Sequence, residues 1–236
     1  AAKSMGLNMV RRADALAAVM GCKAGIIVCG MHGKTTTSSM MAHALRVAGL
    51  KPSHYVGAEI PILGTNAHWD PDGEHFVAEG DESDGSLAFY HPRHAIVLNI
   101  EEEHLDYYRD IEHIYAAFSK FVKLLKPEGM LFGCGDHPLV QRLMQEAAVQ
   151  KFSYGLHEDN YFTAKNVCYD ENGYPSFDFV AGGVNKGRIC LSIPGLHNVV
   201  NALAALALSA AVFHAAFDAC AQALRGYRLA GRRFEL

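Results

Sequence analysis

Short apolar runs alternate along the chain with longer stretches in which apolar residues recur every three or four positions. The apolar runs predict strands at residues 26–30, 75–79, 94–100, 130–134 and 151–154. The three-to-four spacing predicts helices at residues 8–20, 34–48, 111–125 and 138–148. Asp110 stands where the N-cap of the third of these helices is expected. This order of strands and helices predicts an α/β fold with a doubly wound, mainly parallel sheet.

Residues 161–193 follow a different pattern. Short aromatic and β-branched segments are separated there by an Asn172-Gly173 turn and by the glycine-rich loop at 182–187. Such segments are typical of a smaller antiparallel β-meander. The helical pattern then returns at 195–225.

Composition narrows the classes of function. The 236 residues carry a formal charge of −4, which gives no electrostatic reason to expect a nucleic acid or an anionic membrane as partner. The six cysteines form no Cys-x-x-Cys pair and no secretory leader is recognisable, so we expect a reduced, cytoplasmic compartment. The most apolar stretch, residues 202–217, is shorter than a membrane span and predicts a buried helix.

The first apolar run leads into the sequence GMHGKTTT at residues 30–37, where a helix begins. Glycines let a backbone approach an anion, and a helix N-terminus, a lysine and a threonine hydroxyl complete the usual surroundings of a nucleotide phosphate and its Mg²⁺. The two glycines stand closer together than in the common motif G-x-x-x-x-G-K-[ST]. We interpret the segment as a short phosphate-binding loop, the alternative being a chance Gly-Lys-Thr after a buried strand.

Two acidic clusters follow other predicted strands. They are EGDESD at residues 79–84 and NIEEEHLD at 99–106. The carboxyl ends of parallel strands meet at one edge of a sheet, where ligands bind, and Mg²⁺ takes carboxylate oxygens. The alternatives are a solvated turn for the first cluster and a structural role for His104 in the second.

Five segments together resemble the central ATP-binding domain of the Mur ligases. They are the loop at 30–37, the two acidic clusters, GLHNVVNALAA at 195–205 and GRRFE at 231–235, in the order and at the spacing of that family. The segments VRRADAL at 10–16 and LGTNA at 63–67 resemble the branch of the family that adds alanine.

The resemblance implies an ATP- and Mg²⁺-dependent amide ligase of peptidoglycan synthesis. Such an enzyme joins L-alanine to the carboxylate of UDP-N-acetylmuramate through an acyl phosphate. By the same resemblance, Lys34, His104 and Arg233 are catalytic, and Thr35, Glu79 and His104 bind metal. ATP is expected to contact Gly30, His32, Gly33, Lys34, Thr35, Thr36, His197, Asn198, Asn201 and Arg233. Asn66 is expected to contact the muramoyl substrate.

The resemblance also implies a domain division. Residues 26–230 correspond to the central domain, 1–25 to the end of a preceding domain or a linker, and 231–236 to the start of a linker to a further domain. We therefore expect this chain alone to bind nucleotide weakly and to be inactive. Three alternatives stay open: a ligase of the same family that uses a murein tripeptide, a P-loop NTPase or phosphotransferase, and a non-catalytic nucleotide-binding or scaffolding domain.

Overall fold

The computed structural model describes residues 5–6, 9–83 and 85–228. In these residues the helices are α1 Arg12–Gly21, α2 Lys34–Val47, α3 Ile111–Val122, α4 Pro138–Glu146, α5 Leu196–Phe213 and α6 Phe217–Gly226. The strands are β1 Ala24–Cys29, β2 Ser53–Tyr55, β3 Ala67–His68, β4 His75–Glu79, β5 His94–Val97, β6 Met130–Cys134, β7 Gln150–Gly155, β8 Phe162–Tyr169, β9 Pro175–Ala181 and β10 Val184–Cys190. A 3-10 helix covers Ser86–Phe89.

All of these strands belong to one sheet, in the order β10-β9-β8-β7-β6-β5-β1-β4-β2-β3. In sheet order, the strands β8-β7-β6-β5-β1-β4-β2 pair in parallel. Strand β3 pairs antiparallel with β2, and the meander β8–β10 is antiparallel. The predicted α/β class with a mainly parallel sheet and an antiparallel meander is confirmed. The meander continues the main sheet, because β8 pairs in parallel with the end of β7.

The sheet is covered on both faces, which explains why its central strand is apolar at successive positions. In β1, Ile26 and Val28 pack in the hydrophobic cluster that includes α2, α5 and α6. Ile27 and Cys29 point to the other face and pack in the cluster that includes α1, α3 and α4. Side chains alternate along a strand, so a strand with helices on both faces needs apolar residues in every position.

Several boundaries differ from the prediction. The helix predicted at 195–225 is two helices, because α5 ends at Phe213 and α6 begins at Phe217. His214 between them adopts a left-handed backbone with φ of 48°, which no helix continues through. The alanine-rich sequence carries no glycine or proline to announce that break. Asp110, by contrast, caps α3 as predicted, since its side chain accepts a hydrogen bond from the His113 amide.

Helix α5 is long and apolar enough to pass a length-and-hydropathy test for a membrane span, but 61% of it is buried inside the fold. It packs with α2 and α6 over one face of the sheet. The prediction of a buried helix in this part of the chain is confirmed up to Ser209, and the last turn of α5, which ends at Phe213, is half-buried.

The position of β1 in the sheet marks where a ligand is expected. After β1 the chain forms β2 and β3 at the edge of the sheet and returns through β4, which lies beside β1. It then crosses over β1, and β5 pairs with the opposite side of β1. Such a reversal of strand order opens a crevice at the carboxyl ends of the strands involved, which is where ligands bind in open α/β sheets. The loops after β1, β4 and β5 meet at this crevice.

Candidate functional site

The loop after β1 has the two glycines that its shape requires. Gly30 has φ of 135° and Gly33 has φ of 87°, values at which a side chain strains the backbone. A Cβ on Gly30 would lie 2.9 Å from the Asn99 amide nitrogen, and one on Gly33 would lie 2.5 Å from Asn201 Oδ1. The loop is therefore pressed between the segment after β5 and helix α5.

Asn99 holds this loop by a pair of hydrogen bonds. Its Oδ1 accepts from the His32 amide at 2.9 Å, and its Nδ2 donates to the His32 carbonyl at 3.1 Å. The His32 amide is thus engaged by the protein. The His32 ring lies 3.5 Å from Glu101 and 3.2 Å from Glu103. Asn99 is the first residue of the second acidic cluster, but it is not among the site residues predicted from the sequence.

The Lys34 ammonium is turned back over its own loop. Its Nζ donates to the carbonyls of Gly30 at 2.7 Å and Met31 at 3.3 Å, and it lies 2.5 Å from Glu82 Oε1. The side chain of Lys34 is 20% exposed and that of Glu82 is 1% exposed. The residue predicted to hold phosphates therefore forms a nearly buried ion pair with an acid that the sequence did not distinguish within its cluster.

Glu82 also connects Lys34 to His104. Its Oε1 lies 3.6 Å from His104 Nε2, while its Oε2 is buried without a hydrogen-bond partner among the described residues. Burial raises the pKa of the Glu82 carboxyl, and the charge of Lys34 opposes that rise. His104 has a left-handed backbone with φ of 54° and lies 3.9 Å from Glu103. The loops after β1, β4 and β5 thus meet at Glu82.

Thr35 and Glu79 form the second contact between these loops. Thr35 Oγ1 donates to Glu79 Oε2 at 3.2 Å, and Glu79 Oε1 accepts from the Gly57 amide at 2.7 Å and from Ser38 Oγ at 3.3 Å. A hydroxyl and a carboxylate side by side match the few protein ligands that Mg²⁺ takes when phosphates and waters complete its shell. The described residues contain no cluster of three or more His, Cys, Asp or Glu suited to a metal. The donor set therefore fits a phosphate-bound Mg²⁺ and no fully protein-ligated metal.

A cavity of about 220 Å³ opens beside this pair. Lys34, Glu79 and Asn66 all line it, as does Arg12 of α1. Arg12 Nη2 lies 3.1 Å from Asp81 Oδ2. The pKa of Asp81 is lowered because hydrogen bonds from Ser83 and the charge of Arg12 together outweigh its partial burial. The candidate substrate residue Asn66 thus shares a cavity with the candidate phosphate and metal ligands.

The residues predicted at the adenine end of ATP lie at the start of α5. Asn198 Nδ2 donates to the Pro194 carbonyl at 2.7 Å, and Asn201 Nδ2 donates to Asn198 Oδ1 at 3.2 Å. Asn201 Oδ1 accepts from Thr37 Oγ1 at 3.3 Å, so this asparagine contacts the helix that follows the phosphate loop. His197 is exposed, and its ring lies beside Gly195, where an added Cβ would be 2.5 Å from its Cε1. Contact of these three residues with a nucleotide stays a prediction.

The remaining predicted residues are placed as follows. Thr36 lies in the first turn of α2 and is 7% exposed. Arg233 lies outside the described residues. Of the predicted site, the structure brings together Gly30, Gly33, Lys34, Thr35, Glu79, Asn66 and His104, with Asn201 behind the loop.

Comparison with known proteins identifies a family. The family model described as the Mur ligase middle domain matches residues 28–209. The chain is 40% identical over 239 residues to the UDP-N-acetylmuramate–L-alanine ligase of Arthrobacter sp. (strain FB24), and 40% identical over 236 residues to that of Pelotomaculum thermopropionicum. Both alignments cover 100% of this chain and 50% of the relative, so the chain spans about half the length of these curated relatives.

Solved structures give the same result. A UDP-N-acetylmuramate:L-alanyl-gamma-D-glutamyl-meso-diaminopimelate ligase from Neisseria meningitides superposes with a TM-score of 0.84 at 28% identity, over 98% of this chain and 74% of that one. The UDP-N-acetylmuramate-alanine ligase MurC of Thermotoga maritima has the same fold, with a TM-score of 0.84 at 23% identity, over 99% of this chain and 52% of that one. The phosphate loop, the acidic clusters and the start of α5 all fall inside the matched residues, and the chain belongs to the Mur ligase family through its middle domain.

Proposed function

We propose that this chain is the ATP-binding domain of an amide ligase that joins L-alanine to UDP-N-acetylmuramate in the cytoplasm. One observation carries the proposal: Lys34 and Glu79 line the same cavity as Asn66, so a candidate phosphate ligand and a candidate metal ligand share a cavity with a candidate substrate residue. Thr35 joins this group through its hydrogen bond to Glu79. The identity to relatives named as alanine ligases supports the choice of amino acid.

The chemistry needs two anions to meet. ATP transfers its γ-phosphoryl group to the lactoyl carboxylate, giving an acyl phosphate and ADP; the amine of L-alanine then attacks the acyl carbon and phosphate leaves. Mg²⁺, when bound, supplies positive charge between the triphosphate and the carboxylate. Lys34 adds a fixed charge at the loop, and we assign the metal to Thr35 and Glu79, whose mutual hydrogen bond supports this choice. Removing one such preorganised group costs about 2–4 kcal/mol of transition-state stabilisation.

Glu79 offers the sharper test of this arrangement. Glu79→Gln keeps the shape and the hydrogen bond from the Gly57 amide but lowers the affinity for a cation. We expect calorimetric titration to show weaker binding of Mg·ATP to this variant, with binding of metal-free ATP changed little. Asp72→Asn, in an exposed ion pair with Lys51, is the matched control. An equal loss of affinity for metal-free ATP and for Mg·ATP would contradict the metal role of Glu79.

The acceptor is tested on the full-length gene product. We expect phosphate release to depend on both UDP-N-acetylmuramate and L-alanine, with mass spectrometry showing one amide product per phosphate. Phosphate release without an amide product would support a P-loop NTPase or phosphotransferase instead. Unchanged affinity for Mg·ATP after Lys34→Ala, in a variant shown to be folded by circular dichroism, would support a non-catalytic domain.

A second candidate differs only in the acceptor. The Neisseria structure, named as a ligase of UDP-N-acetylmuramate with a tripeptide, superposes as well as the Thermotoga alanine ligase. The same full-length assay with L-alanyl-γ-D-glutamyl-meso-diaminopimelate in place of L-alanine separates the two. Preference for the tripeptide would replace L-alanine in the proposal and leave the rest of the mechanism unchanged.

A further inference from the structure

Lys34 Nζ contacts three acceptors among the described residues, as many as an ammonium group has protons. They are the Gly30 carbonyl, the Met31 carbonyl and Glu82 Oε1. A phosphate oxygen that bonds to Lys34 therefore competes with these acceptors. The two carbonyls are neutral and belong to the loop itself, whereas the carboxylate carries the charge that competes with phosphate.

Glu82 is well placed to compete. It is fully buried, and its Oε2 has no hydrogen-bond partner among the described residues, so little besides Lys34 offsets the cost of burying its charge. The other near group is His104, whose Nε2 lies 3.6 Å from the same Oε1. Tyr108 fixes the backbone of this segment by donating its hydroxyl proton to the Glu82 carbonyl.

We propose that Glu82 is a positioning residue that holds Lys34 away from the phosphate site in the nucleotide-free protein and exchanges it for the nucleotide phosphates. Glu82 keeps its place beside His104 when Lys34 leaves. The inference rests on the proposed function only in taking ATP as the ligand. In this proposal the Glu82 carboxylate competes with the nucleotide phosphates for Lys34 and weakens nucleotide binding. This accords with the weak binding expected of this chain.

The first test measures Lys34 directly. In nucleotide-free chain labelled with ¹⁵N-lysine, we expect the Lys34 ammonium to exchange its protons slowly enough to give an NMR signal, because it is nearly buried and has three acceptors. Lys51 is the matched control, since it pairs with Asp72 at 3.0 Å but both side chains are more than half exposed. Saturating Mg·ATP should move the Lys34 signal, and Glu82→Gln should shift or abolish it without ligand.

The second test measures affinity. Glu82→Gln should tighten Mg·ATP binding at least about threefold, because the competing carboxylate is gone. Asp81→Asn removes the same charge one residue away, where the carboxylate contacts Arg12 and Ser83, and should change the affinity less. A Glu82→Gln variant that binds as the unchanged chain does, or more weakly, would overturn the inference.

The wild-type spectra keep the inference testable even if Glu82→Gln does not fold. A Lys34 signal that exchanges as fast as that of Lys51, or one that does not move when Mg·ATP saturates the chain, overturns it. If neither the unchanged chain nor the Glu82→Gln variant binds nucleotide, both the inference and the proposed function are overturned. Nucleotide binding by the chain, with no amide product formed by the full-length gene product, would contradict the proposed function alone and leave the Glu82 result standing.

Discussion

Replacing Gly33 by alanine should destabilise the fold more than the same change at a glycine of similar backbone conformation. Gly33 has φ of 87°, and an added Cβ would lie 2.5 Å from Asn201 Oδ1 and 3.3 Å from Leu98 Cδ1. Gly49, after α2, has φ of 81°, and no described heavy atom beyond its neighbours lies within 4 Å of its added Cβ. The pair separates backbone strain from steric overlap.

The expected magnitudes follow from these two costs. A non-glycine residue in the left-handed region costs about 1–2 kcal/mol, so Gly49→Ala should lower the free energy of unfolding by about 1 kcal/mol. Overpacking adds about 1–3 kcal/mol where neighbours must shift. We therefore expect Gly33→Ala to lower the free energy of unfolding by about 3 kcal/mol. Urea denaturation followed by circular dichroism measures both free energies of unfolding. The two variants are compared only if the slope of that free energy against urea concentration is the same in both.

A double-mutant cycle locates the overlap. In an Asn201→Ala background the nearest obstacle is removed, so Gly33→Ala should cost close to what Gly49→Ala costs. Equal destabilisation by Gly33→Ala and Gly49→Ala in the unchanged chain would refute the reasoning. It would mean that helix α5 does not press on the phosphate loop in solution, and the link from Asn201 to that loop would be lost.

Two further changes test the groups outside the site. Burial lowers the pKa of His54 to about 4, below its ordinary 6.5, so the folded state binds fewer protons and loses stability as pH falls from about 6.5 to about 4. This loss amounts to about 3 kcal/mol at most, and His54→Asn should flatten it in urea titrations. Asp110→Ala removes the N-cap of α3, in which Asp110 Oδ1 accepts a hydrogen bond from the His113 amide at 2.9 Å. We expect this change to lower the free energy of unfolding, measured by thermal denaturation, by about 1 kcal/mol.

Each of these changes has a matched control in the chain. His91 is exposed, so His91→Asn should leave the acid dependence of stability as it is. Asp106 is an exposed acid four residues before the cap, so Asp106→Ala should change the melting temperature little. A pH profile that His54→Asn does not flatten would show that other buried histidines, such as His94, carry the acid dependence.

The sequence predicted the parallel part of the fold because its physical signals are local. A strand covered on both faces needs an apolar residue at every position, as in β1, and a helix on one face needs apolar spacing of three to four, as in α3. The order of strands in the sheet is not local. Nothing in residues 53–68 announces that β2 and β3 form the edge beyond β4.

The break between α5 and α6 could not be predicted for a related reason. The residues around 214 are Phe213-His214-Ala215-Ala216, which contain no strong helix breaker. The left-handed His214 ends α5, and α6 then packs across α2, with Cys220, Ala223 and Leu224 in the shared core. Tertiary packing, rather than local propensity, fixes that turn.

Site prediction failed where several like residues stand together. Strand ends correctly indicated that Thr35 and Glu79 would meet, because β1 and β4 are parallel neighbours. Four of the six residues at 79–84 are acids, and strand alternation no longer holds after Glu79. Which of them turns inward depends on the loop path, so the burial of Glu82 appears only in the structure.

Asn99 explains why a loop with only two residues between its glycines still has a defined shape. A longer phosphate loop can wrap its own amides around the anion, whereas here the His32 amide already bonds to Asn99. Fewer loop amides then remain for phosphate, and in the proposed function more of the charge neutralisation falls to Lys34 and to the cation that we assign to Thr35 and Glu79. Since Lys34 is itself paired with Glu82, the proposed exchange has the nucleotide displace this internal contact before Lys34 can neutralise its charge. The short loop and the buried acid are thus two parts of one arrangement.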